Sequence, residues 1–63
     1  MTYDKRLDAL RALLKSKKLP VAAVARHAGL TTPGEYGWAG KVVRGDERGE
    51  PTLAKLEAAA AKL

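Results

Sequence analysis

The sequence predicts an all-α fold: a compact bundle of four short helices in one domain spanning residues 1–63. Three observations predict it. Apolar residues recur at helical spacing in four separate segments. Proline or glycine punctuates the chain between those segments. No segment alternates apolar and polar residues as a half-buried strand would.

The first segment is RLDALRALLKSKKLP, in which Leu7, Leu10, Leu13 and Leu14 form the apolar stripe. Thr2 or Asp4 can cap its start, and Asp8 suits the positive end of the helix. Lys15, Lys17 and Lys18 suit the negative end. Leu19-Pro20 stops the helix, because a residue before proline is pushed out of the α region.

The second segment is PVAAVARHAGL. Pro20 fits the first helical position. Val21, Val24, Ala25 and Ala28 make its apolar face, and Gly29 suits a left-handed C-terminal cap. At about two turns, this helix needs tertiary support to persist.

The third segment is TTPGEYGWAGKVVRG, and its start reads in two ways. Thr32 and Glu35 can form a reciprocal capping box. Pro33-Gly34 can instead be the centre of a tight turn, with the helix beginning near Tyr36. In both cases the helix runs through Trp38, Ala39, Val42 and Val43 to Arg44, where Gly45 ends it. Gly34, Gly37 and Gly40 would form a bare stripe on that helix, at about 1 kcal/mol each relative to alanine. Such a stripe suits close approach to the preceding helix or to another molecule. In the turn reading, the glycines only shape the chain.

After the polar loop GDERGE, the fourth segment PTLAKLEAAAAKL restarts a helix behind Pro51. Leu53, Leu56, Ala60 and Leu63 line one of its faces.

Composition narrows the function. Twelve Lys and Arg face seven Asp and Glu, a net charge of +5. That excess favours a polyanionic partner, nucleic acid before an anionic membrane surface. No apolar run approaches the roughly 20 residues that span a bilayer. The polar start, Thr2-Tyr3-Asp4, does not read as a signal peptide, so a cytoplasmic location is expected. There is no cysteine, and the lone His27 has no partners for a metal. Ser16 has no base placed by any recognisable motif. An enzyme, a cofactor and a small-molecule substrate are therefore not expected.

Two short helices joined by a glycine turn form the helix-turn-helix pattern. Ala25 provides the small residue where the helices cross, and Gly29 the turn. Leu30 is the apolar plug, and Ala39 and Val42 pack back from the second helix of the pair.

With these residues in place, VAAVARHAGL, WAGKVVRG and EPTLAKLEAAA resemble the phage repressor and Cro-like (XRE-type) helix-turn-helix family, over roughly residues 7 to 63. The resemblance implies a lambda-repressor-like fold. It also implies a sequence-specific DNA-binding transcriptional regulator, dimeric on double-stranded DNA, with a recognition helix at about 35–44 in the major groove. The chain departs from the family at three points. Val21 replaces a polar phosphate contact. The stretch between Leu30 and Arg44 is longer, so Ala39 and Val42 take the buried slots only with a gap near residues 32–36. No fifth helix follows the fourth.

Lys41 and Arg44, three apart, are candidates for phosphate or guanine contacts. Thr31, Thr32 and Tyr36 are candidates at the entry to the recognition helix, and Thr32 serves equally as a cap. Arg26 is a candidate phosphate contact, and Lys17 and Lys18 can extend the electrostatic footprint. Ala60 and Leu63, with Leu53 and Leu56, are candidate dimer contacts or intramolecular core. Trp38 belongs to the core or domain surface, or offers a stacking platform. Two other readings remain open. One is a helix-turn-helix adaptor that binds protein. The other is a DNA-bending architectural or recombination-directionality factor.

Overall fold

Four helices make up the computed structural model, which describes residues 2–63. They are α1 (Tyr3–Lys17), α2 (Val21–His27), α3 (Pro33–Arg44) and α4 (Glu50–Lys62). Among the described residues there is no strand. The all-α, four-helix expectation holds. Among the described residues no helix is long and apolar enough to cross a membrane.

Thr2, rather than Asp4, caps α1, and its hydroxyl accepts from the Lys5 N–H at 3.2 Å. Tyr3, Leu7, Leu10 and Leu14 recur at spacings of three and four and are buried together. The helix then closes on a left-handed residue, Lys18, at φ 56. Leu19 N–H reaches back to the Leu14 carbonyl at 2.8 Å, and Lys18 N–H to that of Lys15 at 3.2 Å. This pair of bonds is the Schellman motif.

The same device ends α2 and α3, with glycine as the left-handed residue in each. Leu30 N–H bonds to Ala25 around Gly29, and Asp46 N–H bonds to Lys41 around Gly45. Pro20 is the N-cap of α2 rather than its first helical residue. Its fixed, extended backbone sets the angle between α1 and α2.

The last helix organises the core. α4 packs against α1, α2 and α3, and α2 packs against α3. Leu53, Leu56, Val24 and Val42 are the largest fully buried side chains, joined by Ala25, Ala39 and Ala60. This decides between the two roles left open for the apolar face of α4: core for Leu53 and Leu56 holds, and a dimer contact at Ala60 is corrected to core. Leu53, Leu56 and Ala60 are enclosed by the other three helices without a fifth, so they cannot form a dimer surface in the folded chain. Of that group only Leu63 is open, at 45% exposure.

Polar bonds fasten α1 to α4 at both ends. The Arg6 guanidinium donates to both oxygens of Glu57 and, at 3.3 Å, to Glu50. Lys17 Nζ donates to the Ala60 carbonyl at 2.9 Å. The Tyr3 hydroxyl accepts from Gly49 N–H at 3.0 Å, and the Arg48 guanidinium lies 4.3 Å over the Tyr3 ring.

Candidate nucleic-acid interface

The α2–α3 pair has the packing that a helix-turn-helix requires. Ala25 is fully buried at the crossing, where a larger side chain would hold the helices apart. Gly29 takes φ 85 in the turn, Leu30 plugs the core, and Ala39 and Val42 are fully buried on α3. Ala39 and Val42 therefore take the inward positions expected of them. Tyr36 adds a clasp, its hydroxyl donating to the Ala22 carbonyl at 3.0 Å.

The start of α3 is the capping box, not a proline-glycine turn. The Thr32 hydroxyl accepts from Glu35 N–H at 3.3 Å and donates to the Glu35 carboxylate at 2.8 Å. Thr32 N–H also donates to that carboxylate at 3.3 Å. Pro33 occupies the first turn. The side-chain and then the backbone bond from Thr32 lower the Glu35 pKa, with a smaller contribution from the charge of Lys55. Because the folded pKa is the lower one, this contribution is present at neutral pH and is lost as pH falls through it. Acidification should therefore fray the first turn of α3 before the core opens, which amide exchange at Glu35 and Tyr36 measures.

Since α3 begins at Pro33, all three glycines lie on the helix. A Cβ at Gly34 or Gly37 would meet nothing within 4 Å. At Gly40 it would meet only an Arg44 nitrogen, at 3.7 Å. Neither α2 nor a turn explains them. Gly34, Gly37, Lys41 and Arg44 follow one another at spacings of three and four on the face opposite Ala39 and Val43. That face is open to solvent.

The candidate contact residues differ in what they have free. Lys41 and Arg26 are exposed and have no carboxylate at ion-pair distance among the described residues. Arg44 pairs with Asp46 at 3.1 Å, with both side chains largely exposed. A surface pair of this kind contributes little and is readily exchanged. Thr31 is exposed in the turn. Thr32 and Tyr36 have already given their single hydroxyl protons to Glu35 and Ala22, and Lys17 is engaged with Ala60. Lys18 is exposed in its left-handed cap. Trp38 flanks the open face at 39% exposure, its indole lying over the backbone of Gly49.

One supporting residue escapes local sequence reading. Arg11 Nε donates to the Val43 carbonyl at 2.6 Å and so holds the C-terminal end of α3. Its other nitrogens reach Asp8 and the space beside Gly45. The partners are 32 positions apart, and only packing brings them together.

No protein-family model, curated protein or solved structure matches this chain.

Proposed function

We propose that the chain is a DNA-binding transcriptional regulator of the phage repressor and Cro type. In this reading α3 enters the major groove of double-stranded DNA, and the protein works in the cytoplasm without catalysing a reaction. One observation carries it: α3 turns outward a face of bare backbone that ends in two cations, and nothing inside the fold uses the glycines. A groove wall can approach that backbone closely. Lys41 and Arg44 then reach phosphate oxygens or the O6 and N7 atoms of guanine. Arg26 adds a phosphate contact from α2. One such face is small, so two copies bind two half-sites, with Leu63 in the contact between them.

Selection from a pool of randomised duplexes, followed by fluorescence anisotropy across a salt series, tests the reading. A preferred sequence that keeps its advantage at physiological salt is expected. Arg44→Ala should cost about 1–3 kcal/mol and relax the preference at one position. Equal, salt-sensitive binding to every duplex would leave only charge attraction and sink the reading.

The glycines allow a sharper test, because fold and binding should move in opposite directions. Gly37→Ala should stabilise the domain by about 1 kcal/mol, since the new methyl meets nothing and alanine is the better helix former. The same methyl should weaken duplex binding. A melt and a titration of the one variant measure both, and unchanged affinity would remove the glycines from the interface.

A further inference from the structure

Arg44 ends the open face of α3, and its guanidinium is engaged on one edge only. Nε donates to the Asp46 carboxylate at 3.1 Å. The side chain folds back along the helix, so that Nη1 lies over Gly40, 3.7 Å from where a Cβ would stand. Nη1 and Nη2 have no acceptor among the described residues.

The backbone that carries the carboxylate is fixed. Asp46 N–H bonds to the Lys41 carbonyl at 2.9 Å across the left-handed Gly45, and Glu47 N–H shares that carbonyl at 3.3 Å. Arg11 holds the last turn of α3 through the Val43 carbonyl. Asp46 also stands where an acid is unfavourable on two counts. It follows the C-terminal end of α3, which the helix dipole makes negative. It flanks the face offered to DNA, where a carboxylate repels phosphate. Its one side-chain partner among the described residues is Arg44.

We infer that Asp46 is a positioning residue that makes Arg44 a reader of guanine; the inference rests on the DNA-binding reading above. With Nε taken, the guanidinium keeps one free edge, formed by Nη1 and Nη2. That edge presents two parallel N–H donors, which match the O6 and N7 acceptors of guanine in the major groove. Adenine offers N7 beside an amino donor, so one of the two bonds fails there. Without Asp46 the guanidinium is free to turn and settle on a phosphate, a contact that carries no sequence information. In water the ion pair is weak. A groove wall that excludes water strengthens it, so the pair acts where Arg44 meets the base.

The test uses the full chain, Asp46→Ala and Asp46→Asn on two duplexes. One carries the selected sequence. The other has A·T in place of the G·C pair whose preference Arg44→Ala relaxes. The parent should prefer guanine by roughly 5- to 150-fold, the range of one bidentate pair. Asp46→Ala should lose most of that preference. It should also bind the adenine duplex more tightly than the parent does, since losing one carboxylate takes the net charge from +5 to +6. Asp46→Asn has the same charge as Asp46→Ala, but its amide oxygen still accepts from Nε, so it should keep most of the preference. Asp46 is exposed, so melting should be unchanged in both variants.

An equal gain on both duplexes in Asp46→Ala, with the preference kept, would mean that Asp46 only repels phosphate. That result would overturn the inference and leave the α3 reading standing. Equal loss of preference in the alanine and asparagine variants would trace the effect to charge alone, and a base other than guanine at that position would remove the reader; either overturns the inference. A parent chain with no sequence preference would overturn both readings.

Discussion

Leu53→Ala should lower the unfolding free energy by about 2–5 kcal/mol. A chain of this length has about 3–9 kcal/mol in total, so the variant should stand at the edge of folding. The reason is position. Leu53 is fully buried in the first turns of the helix that touches every other helix. The cavity would open where α1, α2 and α3 converge, leaving little slack to collapse into it. Urea titration followed by Trp38 fluorescence measures the loss. Leu63→Ala, at an exposed position, should change monomer stability by no more than about 0.5 kcal/mol. If Leu53 instead lay on a dimer face, its substitution would alter association in sedimentation and leave the monomer intact.

Gly49→Ala should destabilise by about 1–3 kcal/mol through overpacking, a fall in melting temperature of about 4–8 °C per kcal/mol. Its backbone is ordinary in φ, so the constraint is space and not conformation. A Cβ there would stand 2.8 Å from the Trp38 indole nitrogen and 3.0 Å from a Val42 methyl. Val42 is fully buried and cannot move aside. The indole must shift, so its emission maximum should move as well. Trp38→Ala should then cost less in the Gly49→Ala background than in the parent chain, since the two groups compete for one volume. A variant that melts within a degree or two of the parent, with unshifted emission, would refute this account.

The helices themselves were legible because each carries its own periodicity and its own punctuation. Leu7, Leu10 and Leu14 mark a buried stripe, and Gly29 and Gly45 mark ends that need a left-handed residue. Thr32-Pro33-Gly34-Glu35 was ambiguous, because capping boxes and turns favour the same residue types. Contact between Thr32 and Glu35 decides it, and that contact depends on the helix continuing behind them. The glycine stripe was visible, but whether α2 used it required the three-dimensional packing.

What local reading could not reach lies between distant segments. Arg11 on Val43, Arg6 on Glu57 and Tyr3 on Gly49 each join positions more than thirty apart. Long, flexible side chains leave no periodic trace of their partners. Ala60 could not be assigned to core or dimer contact for a related reason. Its face on α4 is apolar enough for either a core or a dimer, and only the closure of α1 and α2 around it distinguishes the two.

The dependence of the whole core on α4 also has a consequence during synthesis. Leu53, Leu56 and Ala60 complete the burial of residues made much earlier, from Tyr3 to Val42. Until they leave the ribosomal tunnel, α1, α2 and α3 have no common element to close against. The domain therefore folds as one late event and not in stages along the emerging chain. A nascent chain stalled before Leu53 has cleared the tunnel should be fully open to protease, while one released past Ala60 should become resistant in a single step.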